Sequence, residues 1–104
     1  MGEIRDRALW WELPDISLTP GLLDHLEAAL DQVSTDLSLR ALVITGNRDH
    51  FDSIFSVGMN IDFLGECFAD PQGVFIPFVT RYHALLHRIE ELPVPIIAAV
   101  NGLA

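Results

Sequence analysis

The segment FSVGMNID, residues 55–62, follows an apolar run and places a glycine among apolar residues where a surface loop would ordinarily be polar. Gly58 lets the chain bend tightly, so the backbone N–H groups after it can point outward. A backbone N–H aimed at a carbonyl oxygen stabilises developing negative charge without any special side chain. Apolar neighbours at Val57, Met59 and Ile61 would form a dry wall that strengthens this hydrogen bond. An apolar loop packed beneath a lid fits the same residues, and the pattern alone leaves both interpretations open.

Side chains elsewhere offer weaker candidates for chemistry. His83 and His87 have the i, i+4 spacing of a zinc-binding pair, but no third ligand lies near them in the sequence. Ser53 and Ser56 lack the G-x-S-x-G motif of a nucleophilic serine. A single cysteine, Cys67, excludes an internal disulfide, and we predict that it is a small buried or partly buried apolar residue and not a nucleophile. We therefore predict no metal site, and the backbone of residues 55–62 remains the best candidate.

The charge of the chain limits its partners. Six Lys and Arg against fifteen Asp and Glu give a formal charge of −9, which argues against nucleic acid and against anionic membrane surfaces. An anionic ligand would need local contacts, and Arg48 and His50 are candidates for phosphate binding, with a solvated loop as the alternative. No signal peptide or apolar run of membrane-spanning length is present, so we predict a soluble, cytoplasmic protein.

Three elements of the first half position the glycine segment. Ala8–Leu13 is predicted to be a strand that ends at a proline, and it is the only strand predicted before the first helix. Thr19 is a predicted N-cap with proline after it, and apolar residues then recur at helical spacing. Arg40–Gly46 is a continuous apolar run, typical of a strand buried on both faces. A strand, a helix and a buried strand predict a crossover unit.

The second half predicts a loop, a helix and a strand. Two glycines and two prolines predict an irregular loop up to residue 77, with one short helical turn at Phe63–Phe68. Phe78–Leu92 has the apolar spacing of an amphipathic helix. Pro95–Val100 is predicted to be an apolar strand that runs into a turn at Asn101-Gly102. Because such a strand needs cover on both faces, we expect a truncated chain or a domain completed by other polypeptide.

The order of these features resembles the enoyl-CoA hydratase/isomerase, or crotonase, superfamily. The resemblance rests on LRALVITG, on FSVGMNI, which looks like the family's F-S-x-G-x-D-[IL] block, and on IEELPVPIIAAVNGLA, which carries the signature PxPxIAAVNGxA. It covers the chain from about Leu9 onward. The fold that it implies is α/β, a crotonase-like spiral of ββα units. Residues 1–104 would be the N-terminal part of a single such domain, ending just before a glycine-rich turn.

The resemblance also implies a function. Family members bind acyl-CoA thioesters and stabilise a thioester enolate in an oxyanion hole of two backbone N–H groups. By position, the first donor is the backbone N–H of Met59. The flanking residues expected to contact CoA and the thioester are Val57, Gly58, Asn60 and Ile61. Coenzyme A would be part of the substrate, so no separate cofactor is expected, and the complete protein is expected to be a homotrimer or hexamer.

Some expectations depend on residues outside this sequence or on departures from the family pattern. The second donor and the catalytic carboxylates are expected after Ala104, so the 104-residue chain alone is predicted to be inactive. Asn60 stands where the family more often has aspartate, and Glu66 is a further acid/base candidate. The alternatives to a hydratase or isomerase are a non-catalytic acyl-CoA-binding or assembly module, or another crotonase-type reaction such as thioester hydrolysis, decarboxylation or dehalogenation.

Overall fold

The chain begins with an antiparallel hairpin. The computed structural model describes residues 2–47 and 55–102, in which β1 (Gly2–Arg5) pairs with β2 (Ala8–Glu12). The predicted strand at Ala8–Leu13 is confirmed, but the prediction that no other strand precedes the first helix is wrong. Strand β1 has no apolar alternation because all four of its residues are exposed, and this is why the sequence pattern does not indicate it.

The hairpin turn places two non-glycine residues in the left-handed region. Asp6 and Arg7 have φ angles of 52° and 67°. Positive φ at both central residues is typical of the type I′ turn, whose twist matches that of the paired strands. Side chains with a Cβ tolerate this conformation poorly, so Asp6 and Arg7 destabilise the turn that they form.

Replacing Arg7 with glycine is expected to stabilise the protein. Glycine adopts positive φ without a steric cost, and we expect a gain of about 0.5–1 kcal/mol after its larger unfolded-state entropy is subtracted. Urea unfolding measures the change. Arg40→Gly is the matched control, because Arg40 has no positive φ, and it should lower the stability. Destabilisation by both variants would contradict the proposed strain at the turn.

A helix then crosses over the sheet. After the two-residue strand β3 (Ser17–Leu18), helix α1 runs over Pro20–Thr35. The hydroxyl of Thr19 accepts a hydrogen bond from the backbone N–H of Leu22 at 3.2 Å, so the predicted N-cap is confirmed. The buried side of α1 consists of the residues that the helical spacing indicates, Leu23, Leu26, Ala29, Leu30 and Val33.

The four-stranded sheet is completed by β4 (Ala41–Thr45) and β6 (Ile96–Ala99), in the order β1-β2-β4-β6. Strand β4 runs parallel to both β2 and β6. Burial of β4 on both faces holds at its centre, where Leu42 and Val43 are buried, while Ile44 and Thr45 are only partly buried. The predicted crossover unit is therefore present.

The predicted irregular loop is wrong. It is almost entirely helical: α2 covers Ile61–Ala69, a π-helix covers Pro71–Phe75, and α3 continues directly over Ile76–Glu91. Both prolines lie in the first turn of a helical segment, where their missing N–H is not needed. The side chain of Asp70 accepts a hydrogen bond from the N–H of Gly73 at 3.0 Å and caps the π-helix. Proline and glycine therefore mark helix starts here and not a loop.

The core lies between one face of the sheet and the three helices. Its least exposed side chains come from β2, α1, β4 and α2, and they are Leu9, Leu23, Leu30, Leu42 and Cys67. Among the described residues, three surface ion pairs join α1 to α3: Arg81 lies 2.6 Å from Asp24 and 4.0 Å from Glu27, and Arg88 lies 2.9 Å from Asp31. Exposed pairs of this kind contribute little energy, so apolar burial is the main source of stability.

Candidate functional site

The middle of the glycine segment, residues 55–62, is a short paired strand. Strand β5 (Gly58–Met59) lies parallel to β3, with Ser17 opposite Gly58 and Leu18 opposite Met59. The pairing joins the end of the glycine segment to the residues that lead into α1. It also places Met59 two residues before the N-terminus of α2.

The side chains around Met59 point in different directions. Met59 is partly buried and packs against the core, whereas Val57 is 52% exposed and Ile61 is 82% exposed. This exposure shows that Val57 and Ile61 are not packed against the described part of the chain. It also means that Val57 and Ile61 do not by themselves form the predicted dry wall, because water reaches both side chains in the part of the chain that the structure describes.

Gly58 has the conformation that only glycine adopts easily. Its φ is +90°, and a Cβ atom built on it would meet no atom within 4 Å. The need for glycine is therefore conformational and not steric. The prediction that Gly58 permits a tight bend is supported by this angle.

Gly58→Ala is expected to destabilise the β3–β5 pairing by about 1–2 kcal/mol, because alanine disfavours positive φ. Gly58→Val should cost more, since a β-branched residue at positive φ is a stronger outlier. Gly65→Ala is the matched control: Gly65 is exposed in α2 without positive φ, and alanine favours helix. Thermal unfolding compares the three proteins. Equal melting temperatures for Gly58→Ala and the parent would contradict the conformational role.

The hydrogen bonds of β5 leave the backbone N–H of Met59 outside the pairing. The N–H of Asn60 donates to the carbonyl oxygen of Leu18 at 3.1 Å. The N–H of Ser17 donates to the carboxylate of Asp15 at 3.3 Å. Consecutive N–H groups of an extended chain alternate between its two sides. The N–H of Val57 also donates toward β3, to the carbonyl oxygen of Ile16 at 2.7 Å, because the positive φ of Gly58 interrupts the alternation between Val57 and Asn60. Since Leu18 lies opposite Met59 and accepts from Asn60, the N–H of Met59 itself points away from β3.

Ser17 belongs to the site although its sequence context does not indicate it. This residue is only 6% exposed, and its hydroxyl accepts a hydrogen bond from the side-chain amide of Asn60 at 3.1 Å. The side-chain carbonyl of Asn60 in turn accepts from the N–H of Phe63 at 3.0 Å and caps α2. The N-cap could have been found from an asparagine just before an apolar stretch. The contact with Ser17 spans 43 positions and has no local signal.

The relationship of this chain to known proteins follows from a comparison with protein families. A family model described as enoyl-CoA hydratase/isomerase matches residues 14–104. The chain belongs to the enoyl-CoA hydratase/isomerase family. The match includes FSVGMNI and the C-terminal signature, so the resemblance noted from the sequence is confirmed.

Solved structures of the enoyl-CoA hydratase/isomerase family confirm the α/β crotonase-like fold. An enoyl-CoA hydratase from Bacillus anthracis has a TM-score of 0.82 at 23% identity, over 100% of this chain and 40% of that chain. An enoyl-CoA hydratase from Polaromonas sp. JS666 has a TM-score of 0.85 at 24% identity, over 98% of this chain and 40% of that one. The chain therefore spans about 40% of the length of these structures.

The other residues singled out from the sequence lie away from Met59 or make structural contacts. The Nε2 atom of His87 lies 3.0 Å from a carboxylate oxygen of Glu91, and no group of three potential metal ligands occurs within residues 2–47 and 55–102. Cys67 is buried, as predicted. Glu66 is exposed on α2. The phosphate-binding candidates Arg48 and His50, and also Ser53, lie outside the described residues.

A cavity of about 500 Å³ lies on the face of the four-stranded sheet that points away from the core. Its lining includes Trp10, Glu12, Thr45 and Asn101, but no residue of the 55–62 segment. Alternation along β2 places Trp10 on the face away from the buried Leu9 and Trp11. The cavity therefore does not coincide with the oxyanion-donor position that the enoyl-CoA hydratase/isomerase family implies.

In the described part of the chain, none of the helices has the length and apolar character of a membrane span.

Proposed function

We propose that this chain supplies the first half of an acyl-CoA thioester site in a crotonase-type enzyme, most simply a hydratase or an isomerase. The backbone N–H of Met59 is the oxyanion donor in this proposal. The single observation that carries it is the hydrogen-bond pattern of β5, in which Asn60 pairs with Leu18 and the preceding N–H points away from β3. The family match supports the substrate class.

The proposed chemistry is electrostatic. The thioester carbonyl oxygen accepts a hydrogen bond from Met59, and the bond strengthens as the oxygen gains negative charge in the enolate. Removal of one such donor from an enzyme costs about 3–4 kcal/mol of transition-state stabilisation. The N-terminus of α2 begins two residues later, and its partial positive charge favours the same negative oxygen.

The flanking residues would contact the ligand through their exposed groups. Val57 and Ile61 present exposed apolar side chains on either side of Met59, and Gly58 leaves open space next to the backbone. We propose that these residues, together with Asn60, border the thioester and the adjoining part of CoA. Coenzyme A enters this proposal as part of the substrate.

Proton transfer needs groups beyond this donor. The acidic side chains closest to Met59 in sequence after it, Asp62 and Glu66, are exposed on α2. Neither makes a side-chain hydrogen bond or an ion pair with a described residue. We therefore propose that the 104-residue chain binds the thioester without turning it over. Measurable hydration of crotonyl-CoA by the purified chain would contradict this, whereas binding without turnover is also what a non-catalytic acyl-CoA module would show.

Selective labelling offers a direct test of the donor. The chain has two methionines, and Met1 carries a terminal amine, so ¹⁵N-methionine labelling gives one backbone amide signal, from Met59. We expect acetyl-CoA to move this amide proton downfield, because its carbonyl accepts the hydrogen bond, and CoA without an acyl group to move it much less. Equal shifts with both ligands, or no shift with acetyl-CoA, would contradict the proposal.

A further inference from the structure

The hydrogen bond between Ser17 and Asn60 joins three elements at one point. Ser17 is the buried polar residue of β3, and its hydroxyl accepts from the side-chain amide of Asn60 at 3.1 Å. The same asparagine caps α2 through Phe63 and pairs with Leu18 through its own backbone N–H. Asn60 therefore fixes the start of α2 relative to β3 through three separate hydrogen bonds.

This junction lies directly beside the peptide unit that follows Gly58. The N–H of Met59 belongs to the peptide unit that follows Gly58, whose missing Cβ allows many orientations. On one side, the N–H of Gly58 donates to the hydroxyl of Ser56 at 3.2 Å. On the other side, the N–H of Asn60 donates to Leu18 at 3.1 Å. The hydrogen bonds made by the N–H groups of Gly58 and Asn60 therefore orient the peptide unit that carries the N–H of Met59.

We propose that Ser17 and Asn60 are positioning residues. Their hydrogen bond fixes the peptide unit between Met59 and Asn60, and this directs the N–H of Met59 toward the ligand. The inference rests on the proposed function of Met59. It assigns the side chain of Asn60 a positioning role in addition to bordering CoA, because its carbonyl and its amide each bind a protein group. It also assigns a role to Ser17, which the sequence pattern does not indicate.

Two variants remove this contact from opposite sides. Ser17→Ala deletes the acceptor, and Asn60→Ser deletes the amide donor but keeps an oxygen that can cap α2. The readout is the ratio of acetyl-CoA to CoA affinity, measured by calorimetry on the full 104-residue chain. We expect each variant to lower this ratio about three- to tenfold, as the loss of one oriented hydrogen bond would. Ser34→Ala, at an exposed position of α1, is the control and should keep the ratio.

The double variant separates a positioning role from two independent effects. If both residues act through their shared hydrogen bond, Ser17→Ala/Asn60→Ser lowers the ratio no further than either single change. Additive losses would overturn the inference. Failure of both single variants to fold, judged by circular dichroism, would also overturn it, because the contact would then be a general requirement of the fold.

The wild-type chain distinguishes this inference from the proposed function. If the wild type does not prefer acetyl-CoA to CoA, the role of Met59 is wrong and the positioning role is wrong with it. If the wild type shows the preference and both variants keep it at full strength, only the positioning role of Ser17 and Asn60 is overturned. A reduced ratio in folded variants, with an unchanged Ser34→Ala protein, supports both.

Discussion

Met59→Pro is expected to abolish the preference for an acyl-CoA thioester over free CoA while the sheet and helices remain folded. Proline has no N–H, so the change deletes the proposed donor itself. The neighbouring pairing survives, because β3 uses the N–H of Asn60 and not that of Met59. Proline is tolerated in a strand where its nitrogen faces away from the ladder. We expect the affinity ratio of acetyl-CoA to CoA to fall about tenfold, toward one.

The matched control for this variant is Met59→Ala. Both substitutions remove the methionine side chain that packs against the core, but only alanine keeps the backbone N–H. Titration calorimetry with both ligands, together with circular dichroism, measures the effect. A Met59→Ala protein that loses the preference as completely as Met59→Pro would show that the side chain, and not the backbone, makes the difference.

Leu42→Ala is expected to cause a large loss of stability. Leu42 is 0% exposed at the centre of β4, between Leu9 of β2 and Ile96 of β6. Truncation there removes buried apolar surface and leaves a cavity, which costs about 3–5 kcal/mol. Domains of this size have total stabilities of about 5–15 kcal/mol, so the change removes a large share of the free energy of unfolding.

The control is the same chemical change at the surface. Leu37 is 94% exposed after α1, so Leu37→Ala should alter the free energy of unfolding by less than about 0.5 kcal/mol. Urea unfolding followed by tryptophan fluorescence compares the variants, because Trp10 and Trp11 lie on the strand next to β4. Similar midpoints for the two variants would contradict the placement of Leu42 in the core.

The elements with strong periodicity could be predicted from the sequence. Helix α1 combines an N-cap, a proline at its start and a regular apolar spacing, and each of these signals acts over a few residues. Strands β4 and β6 are continuous apolar runs, and this signal also lies within a few residues. The region of α2 and the π-helix is not predicted, because Gly65, Pro71 and Pro77 resemble helix breakers when only the sequence is considered. Pro71 and Pro77 occupy first-turn positions, where proline favours a helix.

The candidate site likewise has some features that could be predicted from the sequence and others that could not. The bend at Gly58 could be predicted because glycine is a local signal, and the family resemblance then selected Met59. The β3–β5 pairing and the Ser17–Asn60 contact could not be predicted, because they join positions about 40 residues apart and depend on how α1 and β4 bring them together. No short window of sequence contains that information.

The long sequence separation across β3 and β5 also has a consequence for folding kinetics. Closing a chain segment of 43 positions costs entropy that only the surrounding structure can offset, so the contact between Ser17 and Asn60 should form late, after α1 and β4 have docked. Slow amide exchange at Asn60 would then report opening of the whole fold and not local fraying. A thioester that binds beside this pairing should accordingly slow global unfolding, since it binds only the fully assembled state.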